Sequence, residues 1–206
     1  MFEDGPEAST PIDADEAGDL LPPHLHNRAE LNAWEQANIL VAAQWVQRTR
    51  KRALAEPTIR LLHSKMFDET WGWAGKYRKS DKNIGVFWAQ VPTEVRQLVD
   101  DGTYWVENGT YPIDEAALRL HHRLAMIHPF PNGNGRHARL WCDLLLKQHN
   151  RAPFEWKTAQ LDQPGEARRQ YIDALRQADG GRLDPLFELF LADGPRNGAS
   201  QRGPHT

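Results

Sequence analysis

The order of apolar and polar positions along the chain reads as a run of helices. From Ala29 to Leu54, the residues Leu31, Trp34, Val41 and Trp45 recur at helical spacing and predict one long helix. Asn38 falls on the same stripe, where a buried polar side chain needs a partner. Pro57 opens the next helix at a first-turn position, where no N–H is missed, and Ile59, Leu62, Met66 and Phe67 supply its inner face. The run Trp71-Gly-Trp-Ala-Gly-Lys-Tyr-Arg78 ends that helix, and its paired tryptophans around glycine point to close packing in a turn rather than a ligand platform. Asn83 to Trp88 carries β-favouring residues around Gly85 and predicts a short strand or hairpin. Pro92 begins a helix to about Val106, and Ile113 to Ile127 is another. Arg136 to Gln148 follows, with Leu140, Leu144 and Trp141 on its apolar face. Gly165 to Ala178 is amphipathic, with Ala167, Tyr171 and Leu175 on one side. Asp184-Pro185 starts the last helix, the acid capping and the proline taking the first turn. No internal repeat interrupts the series. The pattern is all-α, with about seven helices and one small β element.

Composition sets the boundaries. The chain has 206 residues, 40% of them hydrophobic, enough for one domain with a sizeable core. Residues 1–27 read as an acidic arm, with Leu20-Leu21-Pro22-Pro23 anchoring its end on the domain. Residues 28–192 read as a single domain, and 193–206, rich in Gly, Pro, Asn, Gln and Ser, as a disordered tail. There is no apolar run of bilayer length and no basic-then-apolar leader, so neither a membrane nor secretion is expected. The single cysteine, Cys142, excludes an internal disulfide, reads as a core residue and fits a reducing cytoplasm. The first 23 residues hold seven acids and no Lys or Arg, which leaves the remainder mildly basic. That surplus suits a nucleotide pocket and lacks the basic stripe of a nucleic-acid surface. The cluster Arg48, Arg50, Lys51, Arg52 reads as a solvated helix end, where cations complement the dipole.

The chemistry concentrates in His128 to Arg139, HPFPNGNGRHAR. The stretch is a helix end, a polar Gly-rich turn and a helix N-terminus. Such a turn presents several backbone N–H groups to one point, and the helix dipole adds partial positive charge there. Arg136 and Arg139, three apart, share a helix face. That geometry suits a chain of phosphates, with His128 available as a base beside it. No Gly-Lys-Ser/Thr closes the turn, so it is not a P-loop. His121, His122 and His137 read as packing or surface residues, because neighbouring positions on a helix point in different directions.

The stretch resembles the Fic family signature HxFx(D/E)GNGRxxR: His128, Phe130, Gly133, Asn134, Gly135, Arg136 and Arg139 match, and Asn132 stands where the family usually has an acid. The segments ELNAWEQANI, WGWAGKYRKSDKNIGVFWAQVP and GEARRQYIDALRQAD are similar to the Fic branch called mobile mystery protein B. The resemblance implies an all-α Fic fold with a β-hairpin flap around Asn83–Gln90, where Ile84, Gly85 and Val86 would hold a target segment by strand-like pairing. It implies transfer of AMP from ATP to a Ser, Thr or Tyr hydroxyl of a target protein. His128 would be the base, Gly133, Asn134 and Gly135 would cradle the phosphates through backbone N–H groups, and Arg136 and Arg139 would balance their charge. Phe130 would anchor the loop. Mg²⁺ is expected with the nucleotide, with Asn132 a weak, uncharged ligand in place of the usual acid.

Two other outcomes stay open: a nucleotide-binding protein that transfers nothing, or an enzyme that removes AMP or moves another phosphate-linked group. The histidine argues against the first, since mere binding needs no base. The resemblance further implies a small helix-turn-helix partner and a toxin-like setting. Many Fic proteins carry an inhibitory (S/T)xxxE(G/N) helix whose Glu blocks the γ-phosphate site by pairing with the second arginine, here Arg139. Thr103 to Asn108 matches it literally but lies between flap and motif, out of the family's place for it. Glu35 is the better-placed candidate and Glu30 a weaker one; the alternative for Glu35 is a solvent-facing helix acid.

Overall fold

The computed structural model describes residues 17–25, 27–156, 161 and 165–191. The disordered tail expected at 193–206 and most of the acidic arm lie outside them. Seven α-helices run through the described residues: α1 (Arg28–Arg48), α2 (Glu56–Phe67), α3 (Val91–Glu107), α4 (Ile113–Ile127), α5 (Asn134–Gln148), α6 (Glu166–Asp179) and α7 (Asp184–Leu191). The fold is all-α. At its centre α4 packs against α5; α3, α6 and α7 cover α4, while α1 and α2 cover α5. Trp141, Phe67, Phe130, Leu120 and Leu124 are among the fully buried side chains between these layers.

Local chemistry sets the helix ends. Asn27 caps α1 by accepting the Glu30 N–H at 3.0 Å. Proline occupies the first turn of both α2 and α3. α4 stops at His128 because Pro129 follows, and the residue before a proline is driven out of the right-handed helical region. The end of the arm does anchor on the domain. The Leu21 N–H donates to the Thr70 carbonyl and the Gly72 N–H to that of Asp19, each at 2.9 Å, and Leu20 bridges to Trp71.

Two expectations need correction. α1 ends at Arg48 rather than Leu54, and its inner face is Leu31, Glu35, Ala42 and Val46, with Asn38 beside them donating to the Thr70 hydroxyl at 3.0 Å. Val41 is 63% exposed. The expected hairpin is not formed either: among the described residues 83–86 is a series of bends, followed after Phe87 by a 3-10 turn, Trp88–Gln90. The backbone groups that a ladder would use are taken by side chains. Arg78 captures the Val86 carbonyl, and Asp81 accepts the Trp88 N–H at 2.9 Å.

Candidate active site

The loop between α4 and α5 gathers the signature residues at the N-terminal end of α5. His128 sits in the left-handed region at φ 55° and is buried. For a residue other than glycine that conformation costs about 1–2 kcal/mol and persists only where its surroundings enforce it. Burial lowers the imidazole to about 4; a hydrogen bond to the Ala125 carbonyl works against the shift, and the charges of Arg78 and Lys82 add to it. The ring is therefore neutral near pH 7. With one ring N–H donated to Ala125, the other nitrogen holds the lone pair that a base requires.

The loop behind it is rigid for identifiable reasons. Asn134 braces it from within: its Oδ1 accepts the Phe130 N–H at 2.9 Å and its Nδ2 donates to the Phe130 carbonyl at 2.8 Å. Phe130, fully buried, stacks on His63 with ring centroids 3.7 Å apart. His63 is the brace that sequence reading missed. Its Nδ1 accepts the Gly75 N–H at 3.0 Å, so the proton is on Nε2, which donates to the Asn132 carbonyl at 3.0 Å. Burial and neighbouring His137 hold it well below the usual range. Its spacing from Ile59 and Met66 puts it on the inner stripe of α2, a signal that was available.

Gly133 has φ 78°, and a Cβ there would lie 2.5 Å from Phe67, so its backbone can follow this path only as glycine. Gly135 differs: an added Cβ would meet Arg139 at an ordinary 3.7 Å. The first amides of α5 have no carbonyl of their own helix to bond, which makes this end suited to an anion. Arg136 and Arg139 flank it in different settings. Arg136 lies over the Phe67 ring and donates to Glu35 Oε2 at 2.7 Å. Arg139 is buried, 6.0 Å from the Tyr171 ring centroid.

Glu35 is neither solvent-facing nor paired with Arg139. It is 5% exposed, and its Oε1 accepts the Trp71 indole N–H at 2.7 Å while Oε2 takes Arg136. The choice of arginine follows from the packing. Phe67 directs Arg136 toward α1, whereas Arg139, three residues on, leans toward α6. Trp71 and Trp73 stack at 5.0 Å and are buried, a packing role that also fixes the carboxylate of Glu35. The three histidines expected to pack or to lie on the surface are structural: His121 contacts the Tyr171 hydroxyl, His122 Asp179, and His137 the Ile59 carbonyl. Glu107, from the literal inhibitory match, pairs with Arg52 at 3.9 Å beside a cavity of about 600 Å³ that includes Lys147, at the other end of α5.

Of the flap residues, Gly85 comes closest to the loop. A Cβ on it, at φ 107°, would stand 2.7 Å from His128 Cβ and 2.8 Å from Arg78 Nη2. The Val86 N–H reaches the Ile127 carbonyl at 3.4 Å, and Ile84 is exposed, as are Phe87 and Trp88 beyond it. Asn132 Oδ1 accepts the Gly133 N–H at 2.6 Å. A Mg²⁺ ion fits this residue poorly, because one lone pair is engaged and the amide brings no charge. Among the described residues no helix is long and apolar enough to cross a membrane.

Residues 53–146 match the family model described as the Fic/DOC family. Curated relatives include protein adenylyltransferase fic-1 of Caenorhabditis briggsae, 32% identical over 123 residues, and protein adenylyltransferase Fic of Drosophila grimshawi, 31% identical over the same length. These alignments cover 58% of this chain but only 22% and 24% of the relatives, so the chain spans less than a quarter of their length. Among solved structures, BepC of Bartonella tribocorum with bound AMPPNP superposes with a TM-score of 0.67 at 16% identity, over 90% of this chain and all of that one. Fic-1 of Caenorhabditis elegans gives 0.63 at 24% identity, over 84% of this chain and 51% of that one.

Proposed function

We propose, since residues 53–146 match the Fic/DOC family model, that this chain is a protein adenylyltransferase moving AMP from ATP to a Ser, Thr or Tyr hydroxyl of a target protein. The observation that carries the reading is the buried, neutral His128 beside the anion-suited N-terminus of α5. The acceptor oxygen attacks the α-phosphorus while its proton passes to the imidazole. The bond from that phosphorus to the bridging oxygen breaks, and pyrophosphate leaves with the electron pair. The amides at Asn134 and Gly135 would hold the phosphate oxygens, whereas the Gly133 N–H, expected to join them, is held by Asn132 Oδ1; Arg136 and Arg139 would take up the charge that grows on the leaving group. The segment Ile84-Gly85-Val86 would present the target beside the base. BepC binds an ATP analogue on this fold, which supports ATP as donor.

Mg²⁺ would accompany the triphosphate and offset its charge; of this chain's residues Asn132 would offer it one neutral oxygen at most. Glu35 is the internal brake. While its carboxylate holds Arg136, that arginine is diverted from the phosphates. The continuous core from Leu25 to Phe190 supports a single domain over 28–192. The quoted segment similarities support the mobile mystery protein B branch and a small helix-turn-helix partner, and the single cysteine supports a cytoplasmic setting, as further parts of this proposal.

The test is His128→Ala, assayed with labelled ATP and a proteome extract, followed by mass analysis of acceptors. Transfer should fall at least about a hundredfold, the scale of a lost general base, while ATP binding persists. Wild-type transfer by the variant would refute the assigned role.

A further inference from the structure

Arg78 is the most unusual buried group of the molecule outside the signature. Its side chain has no solvent exposure, yet it carries a full charge. Nε donates to the His128 carbonyl at 2.7 Å and Nη1 to that of Ser80 at 2.9 Å. Nη2 donates to the Val86 carbonyl and reaches that of Ile127 at 3.5 Å. Its own backbone N–H donates to the Pro129 carbonyl at 3.0 Å. The nearest carboxylate, on Asp81, is 3.6 Å away and more than half exposed.

Desolvating a cation costs several kcal/mol, and an apolar side chain would fill the same space without that cost. What an apolar group cannot do is bond carbonyls from separate segments at once. A guanidinium offers five N–H donors in a fixed plane; a lysine offers three on a single atom. The carbonyls held here belong to the flap (Val86), to the approach to it (Ser80) and to the end of α4 with its strained histidine (Ile127, His128). Gly85 completes the joint, since the space a Cβ would need is filled by His128 and Arg78.

We propose that Arg78 is a positioning residue that fastens the flap and the base-bearing loop into one unit, so that a hydroxyl delivered along the flap arrives at the His128 imidazole. The proposal rests on the transfer reading above for its functional half; its structural half stands alone. Two variants test it. Arg78→Lys keeps the charge and loses the fork. Gly85→Ala keeps Arg78 and wedges the joint open. Three quantities are read on each: steady-state transfer to a protein acceptor, ATP affinity by equilibrium titration, and residue-resolved hydrogen exchange.

In both variants kcat for transfer should fall at least tenfold and KM for the acceptor should rise. ATP affinity should stay within twofold, and exchange should quicken in residues 79–88 and 127–129 while α5 keeps its protection. A residue that merely stabilises the fold would instead loosen α5 and weaken ATP binding in step, and that result overturns the proposal. So does wild-type transfer and exchange in either variant. Should the unaltered protein transfer nothing, the transfer reading falls, and the exchange pattern by itself still decides whether Arg78 is the clamp.

Discussion

A single histidine shows how burial changes what a residue type can do. An exposed imidazole near 6.5 would lose about three-quarters of its neutral form between pH 7.5 and 6, and a rate that depended on it would drop about fourfold. His128, lowered to about 4 chiefly by burial, stays neutral across that range. Initial transfer rates should therefore change less than twofold from pH 7.5 to 6, with the acid limb of the profile near 4. A limb at 6.5 would mean that the base is solvated or is another residue. His128 and the signature around it were legible in the sequence because the chemistry needs fixed residue types at fixed spacing. Arg78 was not, because its work is done on main-chain carbonyls, and a carbonyl leaves no mark on which residue supplies it; His63 showed only as a polar residue on the inner stripe of α2. Asn134 shows the reverse case: its amide nitrogen was expected to face phosphate, and its side chain proves to be the brace of the loop.

At the scale of elements, α1 was the hardest to read. It is nearly as apolar on its outer side as on its inner one, so Val41 drew the stripe to the wrong face and Glu35 seemed to lie off it. The inner stripe of Leu31, Glu35, Ala42 and Val46 keeps helical spacing and carries an acid in the middle. That acid joins α1 to α5 through Arg136 and to the turn after α2 through Trp71. Glu35→Gln keeps an oxygen for the indole and removes the charge that holds the arginine. Its ATP affinity should rise about tenfold, in line with freeing one partly buried ion pair, and self-modification should rise with it. Arg136→Ala should move ATP affinity the other way. Unchanged binding and self-modification in Glu35→Gln would mean that restraint comes from another protein or is absent. The flap was misread for a different reason. Its β-favouring side chains are present, but side-chain donors and acceptors from Arg78 and Asp81 claim the backbone first.

Across the whole molecule, four buried histidines share one behaviour. His121 is lowered to about 3, His128 and His137 to about 4, and His63 well below its ordinary value, burial being the largest cause in each. Unfolded, each binds a proton as pH falls through about 6.5; folded, each stays neutral until far lower. The unfolded chain thus binds more protons below about pH 6.5, and stability is lost as pH drops toward 4. The slope approaches about 1.4 kcal/mol per pH unit for each such histidine. Thermal melts should show Tm level above pH 7.5 and falling steadily between pH 6.5 and 5. A Tm that holds constant down to pH 5 would contradict the neutral, buried state of these rings. The all-α architecture itself was legible from periodicity and from the prolines at helix starts, since both act locally. The pairing of helices was not, because it depends on which of two similar faces finds a partner.

The Arg78 clamp has a consequence for how such a protein can diversify. Apart from Asp81, every atom it grips is a main-chain carbonyl, and main chain is the same whatever residue provides it. Along the flap the joint holds Gly85, and Val86 packs against the core, while Ile84, Phe87 and Trp88 are exposed. Those outward letters can be rewritten, by descent or by an engineer choosing a new client, without disturbing His128, the base of the proposed transfer. Recognition and reaction are thereby separable traits on a shared hinge-pin, and a lineage can exchange the first while inheriting the second intact.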